Sequence, residues 1–170
     1  QAGIDAASDG DTVLVSAGTY YENIQNLKNN VIVKSIDGRE TTILRNNSCE
    51  PYYGIYYING NNEIDGFTID GIDCPLNNRS KGISIGNLGT DGNDVIIKNC
   101  KIINNTFSGV SFHQNDCQVF IENCIFINNE NDNGGTAFHQ TNLNNNGTIK
   151  NCTFYNNGNS STTNAENSAV

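Results

Sequence analysis

The sequence predicts an all-β chain wound as a parallel β-helix, with three-stranded coils of about 24–28 residues and a helix capping its N-terminal end. Three observations carry this. The first is repetition: Ile97-Lys98-Asn99-Cys100-Lys101-Ile102, Ile121-Glu122-Asn123-Cys124-Ile125-Phe126 and Ile149-Lys150-Asn151-Cys152-Thr153-Phe154 are copies of one element. A fixed period in this range is the signature of stacked coils. The second is composition. Among 170 residues, 32 are Asn and 17 are Gly, the types that tolerate left-handed backbone at turns. The third is strand pattern: short runs alternate inward and outward residues and leave no room for helices between them.

Residues 1–8 read as the tail of an amphipathic helix, with Ile4 and the alanines on one side, covering the apolar end of the stack. Coils then occupy 12–157, beginning with Val13-Leu14-Val15 and a turn at Ala17-Gly18. Stacking Ile97, Ile121 and Ile149 inward also turns Cys100, Cys124 and Cys152 inward, followed by Ile102, Phe126 and Phe154. Parallel strands about 4.8 Å apart would pile these into columns. An older copy, Ile64-Asp65-Gly66-Phe67, carries Gly66 where later copies carry Asn, as a slot with positive φ requires. In this register the outward position before the Asn reads Lys34, Asp65, Lys98, Glu122, Lys150, alternating in sign, which favours direct stacking. A further strand precedes each copy. Gly54-Ile55-Tyr56-Tyr57, Gly82-Ile83-Ser84-Ile85, Gly109-Val110-Ser111-Phe112 and Gly135-Thr136-Ala137-Phe138 align on their glycines. Residues 158–170 form a polar loop leading toward another coil. With no Met and Gln1 at the start, the chain is expected to be a piece of a longer array.

The stretch from Gln1 to Ile24 resembles the N-terminal cap and first coil of secreted right-handed β-helix proteins of the pectin-lyase-like superfamily, and the Asn-Cys turns resemble that superfamily's asparagine ladder. The resemblance implies a right-handed helix, an extracellular or cell-surface location, and a polysaccharide that is bound or cut. Gly18-Thr19-Tyr20-Tyr21-Glu22 is similar to a segment of pectin esterases. Their later Gln-Asp and Asp/Arg motifs have no counterpart, and neither has the Asn-Thr-Asp, Asp-Asp and Gly-His-Gly set of galacturonases. Fold by itself does not give function.

The superfamily places substrate along the outward face of one sheet, and on that pattern the Gly-Val-Ser-Phe strand presents Tyr56, Ser84, Ser111 and Ala137, then His113 and His139. Because Phe-His-Gln occurs twice, the two imidazoles are expected on adjacent coils, holding each other neutral and able to bond sugar hydroxyls. A polar ladder satisfying itself is the plainer reading. Arg79 and Lys81 precede the Gly82 strand and would supply the cation and base that elimination from an acidic glycan needs. Asp91, Asn93, Asp94 and Asp116 lie in neighbouring turns and offer oxygen ligands for Ca²⁺, although their spacing is not that of a dedicated calcium loop, and such turns also occur as plain solvated loops.

Cys49 and Cys74 are separated by 25 residues, the spacing of the strands beside them, so a disulfide between adjacent turns is geometrically open and would suit an oxidising compartment. Cys117 has no evident partner. Sequons at Asn46, Asn78, Asn104, Asn146, Asn151 and Asn159 are unremarkable in so Asn-rich a chain. The net charge of −9 speaks against a nucleic-acid surface, and no apolar run reaches the roughly 18 residues of a membrane span. The reading is a β-helix that binds polysaccharide without a complete catalytic site. Two alternatives stand beside it: an acidic-polysaccharide lyase using Lys81 or Arg79 with Ca²⁺, and a structural stalk or adhesin repeat. No regular Thr-x-Thr column marks an ice-binding face.

Overall fold

Each coil turns its first corner at a slot that only Gly or Asn fills comfortably. Gly66, Asn99, Asn123 and Asn151 occupy it with φ of 83°, 54°, 55° and 53°, the left-handed region where a side chain other than Asn or Asp is costly. A second slot, four residues past each Cys, holds Asn104, Asn128 and Asn156 at 58°, 54° and 50°. The computed structural model describes residues 1–26, 28–46, 54–58, 60–71, 80–86, 94–112, 118–129, 137–140 and 146–158, with backbone alone at 54, 55, 57, 140 and 146.

Between these corners the strands assemble into three parallel sheets, as the sequence predicts. The first sheet stacks Thr12–Val15, Val31–Ser35, Asn62–Asp65, Asp94–Lys98, Gln118–Glu122 and Asn146–Lys150. The second stacks Gly18–Tyr21, Thr42–Arg45, Thr68–Asp70, Lys101–Ile103, Ile125–Ile127 and Thr153–Tyr155; the third, Ile24–Asn26, Gly54–Ile58, Lys81–Ile85, Ser108–Phe112 and Phe138–Gln140. The helix Ala2–Ala6 closes the first coil and buries Ile4.

Inward columns form the core. Val33, Ile64, Ile97, Ile121 and Ile149 pair in register in the first sheet, and Leu44, Ile69, Ile102, Phe126 and Phe154 in the second. Burying an isoleucine completely contributes about 1.5–3 kcal/mol, so columns of this length outweigh any surface term. Phe126 and Phe154 stack at 5.1 Å and 11°, and Phe138 meets both rings at an angle. Cys100 and Cys124 are buried and Cys152, in the last described coil, is half-buried; the amides of Cys100 and Cys124 each donate to the next thiol at 3.4 Å.

The asparagines form ladders. Asn123 Nδ2 donates to Asn99 Oδ1 at 2.7 Å, and Asn99 Nδ2 to Asp65 Oδ1 at 2.6 Å. At the second corner Asn156 donates to Asn128, and Asn104 to Asp70 Oδ1 at 2.8 Å. A third ladder runs inside: Asn105 Nδ2 to Asn129 Oδ1 and Asn129 Nδ2 to Asn157 Oδ1, each at 2.8 Å, with Asn105 and Asn129 fully buried. The outward charge column stacks in the expected register, and Lys34–Asp65 and Lys150–Glu122 pair at 3.2 and 3.5 Å. Lys98 departs from it, reaching diagonally to Glu63 at 2.6 Å; that contact raises its pKa above the ordinary lysine value.

The third sheet corrects the sequence reading in two places. Gly54 pairs with Lys81 and Tyr56 with Ile83, one residue from the glycine alignment, so Tyr56 points into the core and is 1% exposed. Val110 pairs with Phe138 and Ser111 with His139, two residues from it. Packing decides both shifts, because the Tyr56 and Phe138 rings fill interior space that a polar or small residue would leave empty. Gly82 and Gly109 press against the core. A Cβ on Gly82 would lie 2.5 Å from the Gly109 carbonyl and 2.9 Å from Ile102 Cγ2.

Candidate functional site

On the third sheet the expected site residues do gather, but away from solvent. Ser84 and Ser111 are 0% exposed, and Lys81 is buried. The Lys81 ammonium lies 5.6 Å from the centroid of the Phe107 ring, and the His139 ring meets Phe107 edge-on at 4.7 Å. Ser108 and Ser111 share a hydrogen bond of 2.7 Å, while the Ser84 hydroxyl has no hydrogen-bond partner among the described residues. His139 stands opposite Ser111 in the register of the third sheet. His113 and Arg79 lie outside the described residues. Tyr56 is not on this face at all; burial pushes its phenol far up, only partly opposed by the Asn26 amide. With Ser84 and Ser111 closed off and Tyr56 inside, this face offers a packed polar layer in place of the aromatic sugar platform that the sequence suggested.

The first sheet carries an open groove of about 450 Å³, lined by Asn30, Val31, Ile32, Asn61, Asn62, Glu63, Asp94 and Ile96. Its floor is the outward column Ile32, Glu63, Ile96, which continues in register to Phe120. Its wall is the corner where each coil enters this sheet. Asn62 is locked from both ends, accepting from Val31 N–H at 2.9 Å and donating to Lys28 O at 2.7 Å. Asn61 Oδ1 accepts the Asp94 amide at 2.6 Å. Asn30 holds φ 57°. The groove is therefore held by backbone hydrogen bonds, with Ile32 and Ile96 flanking Glu63 on its floor and carboxamide and carboxylate groups on its walls, and Phe120 follows Ile96 in register beyond its lining, a mixture that suits small polar ligands.

Of the four calcium candidates, Asp94 is exposed on this groove; Asp91, Asn93 and Asp116 lie outside the described residues, as do Cys49, Cys74 and Cys117. Among the described residues no three acidic, histidine or cysteine side chains are placed to hold a metal ion. The sequence reading missed the groove because its residues belong to no motif. A usable signal was present in the outward alternation Ile32, Glu63, Ile96, Phe120, which breaks the polar rule for a solvated face.

Two other features complete the surface. On the second sheet Tyr21, Arg45 and Asp70 stack outward, and the Tyr21 hydroxyl, then Asp70, raise the Arg45 pKa against its burial. Beneath the cap helix a cavity of about 360 Å³ reaches Ile4, Val13, Tyr20, Leu44 and Phe67.

No protein-family model matches the sequence, and no curated protein matches it. Solved structures do match. The pectin methylesterase from Yersinia enterocolitica superposes with a TM-score of 0.67 at 12% identity, over 90% of this chain and 53% of its own. The pectin methylesterase PemA from Erwinia chrysanthemi gives 0.57 at 14%, over 76% and 44%, and a pectin methylesterase solved with a hexasaccharide gives 0.58 at 14%, over 79% and 44%. This chain thus spans about half the length of those it matches. At such identity the likeness is one of fold alone, the right-handed parallel β-helix.

Proposed function

We propose that this pectin-lyase-like β-helix is an extracellular or cell-surface protein that binds polysaccharide along its first sheet, without a complete catalytic site among the described residues. The observation that carries the reading is the groove from Asn30 to Asp94, whose apolar residues Ile32 and Ile96 are followed in register by Phe120 on the next coil. Sugars present apolar C–H faces and polar edges, and this track pairs a floor for the first with carboxamides for the second. Structural neighbours solved with hexasaccharides support the class of ligand. The lyase alternative is less favoured, since Lys81 is buried against Phe107 and a base must reach the proton that it removes.

A glycan panel assayed with and without calcium tests the reading. Binding to at least one oligosaccharide, weakened about tenfold in Phe120→Ala, is the expected result; a single stacking ring contributes roughly 1 kcal/mol or more. Unsaturated products absorbing in the ultraviolet would establish a lyase instead. No interaction with any glycan, in protein whose folding is verified by circular dichroism, would leave the structural stalk.

A further inference from the structure

The charges around the groove are one-sided. Glu63 and Asp94 line it. Its rim continues to the first coil, where Asp9 Oδ1 accepts the Asn29 amide at 3.3 Å and the Asp11 carbonyl accepts the Ile32 amide at 3.0 Å. The lysines on the surrounding strands and turn are engaged, Lys34 with Asp65 at 3.2 Å. Lys98 pairs with Glu63. Lys28 turns its ammonium away to the carbonyls of Asp5, at 2.8 Å, and Ala7. Asp9, Asp11 and Asp94 are exposed and have no ion pair among the described residues. They sit on the first and fourth coils, with Glu63 on the third, so a chain laid along the helix axis passes carboxylates at more than one ring. The coil spacing of about 4.8 Å is close to the rise of one ring in an extended β-linked glycan. A net charge of −9 adds a field of the same sign over the whole surface.

Resting on the groove as the glycan surface, we infer that it selects oligosaccharides bearing free amines, such as glucosamine oligomers, over uronate oligomers. An ammonium group entering the groove meets Asp94, with Asp9 on the turn that holds Asn29 beside it, while its ring packs over Ile96 toward Phe120, the next position in register. A uronate carboxylate meets the same groups with the opposite sign, and Lys98, the cation nearest to it among the described residues, is already paired with Glu63.

The test is titration calorimetry with three hexamers: fully deacetylated glucosamine, its N-acetylated counterpart, and galacturonate. Each is run at low salt and at about 0.5 M salt, where exposed charges are largely screened. The deacetylated hexamer should bind roughly tenfold tighter than the acetylated one, as two or three exposed pairs of modest strength would give, and the gap should close at high salt. Asp9→Asn/Asp94→Asn should shrink the ratio about threefold. Asp37→Asn/Glu40→Gln removes the same net charge from another corner and should leave the ratio as it was, which separates groove recognition from general attraction of a polycation. Equal binding of the amine and acetyl forms, tighter binding of galacturonate, or an equal loss in both double variants would overturn the amine preference. In those cases a weaker Phe120→Ala variant still upholds the groove as a glycan surface, whereas no binding of any hexamer overturns both.

Discussion

The corner between the first and second sheets and the third sheet are built from the same repeats, yet they obey different rules. At the corner, identity of residue is enforced locally: positive φ admits Asn or Gly, and the amide must also reach its neighbour in the next coil. Copies there stay alike enough to be aligned by eye. In the third sheet no backbone slot names its residue, and what must be conserved is volume in the interior. A Tyr, an Ile, a Val and a Phe serve in one column, and register slides by one or two residues to let them. Repetition is therefore a good guide where geometry is quantised and a poor one where only space has to be filled.

The sharpest way to break this contrast is at the glycines. Gly82→Val places a side chain against the Gly109 carbonyl at 2.5 Å and the Ile102 methyl; a loss of about 3 kcal/mol is expected from overpacking, read as a lower denaturant midpoint. Gly66→Asn, at a corner where three other coils already carry Asn, should cost less than about 1 kcal/mol. If the two substitutions cost the same, the distinction between a filled interior and a quantised corner fails.

Next in size is the inner ladder. Asn129→Ala takes from Asn105 Nδ2 one of its two acceptors, the other being the Ile103 carbonyl, and from the Ile102 carbonyl its side-chain donor, in a fully buried setting. About 2–3 kcal/mol should be lost, since buried groups without partners bear their full desolvation cost. Asn123→Ala, on the exposed outer ladder, should lose only about 1 kcal/mol, mostly from the left-handed backbone.

The smallest effects belong to surface charge. Glu63 raises the Lys98 pKa, so whatever this pair contributes is present throughout the neutral range and is lost only as pH climbs through the raised value, above 10.5. Glu63→Gln should shift stability by less than about 1 kcal/mol at pH 7, and its difference from the parent chain should vanish in strongly alkaline solution. A thiol assay orders the cysteine column in the same spirit. Burial raises the Cys152 pKa, and contact with Cys100 together with burial raises that of Cys124. Cys152 should therefore react slowly at pH 8, and Cys100 and Cys124 only on unfolding.

This division also sorts what was legible beforehand. The coils, the inward cysteines, the asparagine corners and the sign-alternating column could be read from the chain because each rests on a local requirement repeated at a fixed interval. Tyr56 could not be placed, because an inward and an outward tyrosine differ only by one step of register. The burial of Ser84 and Ser111 could not be read either, because alternation along a strand gives the face of a residue and not what lies over it. The groove escaped notice because it joins residues from three coils, Asn30, Asn61 and Asp94, none of which resembles the others in sequence context.

The outer ladders have a direction. Asn99, Asn104, Asn123, Asn128 and Asn156 each hand an amide proton to the coil before, and in the third coil Asp65 and Asp70 accept without donating onward, anchored instead by Lys34 and Arg45. A carboxylate is thus a full stop for the series. Beyond it, toward the C-terminal side, every coil presents an amide oxygen to the next and asks for an amide in return. A duplicated coil carrying Asn at both corners can be spliced between any two such coils and find both neighbours already complementary, whereas the same copy placed before Asp65 would meet no matching oxygen. Lengthening by tandem duplication is accordingly open on one side of the third coil and closed on the other, a constraint on how such arrays gain length over evolutionary time that two aspartates impose.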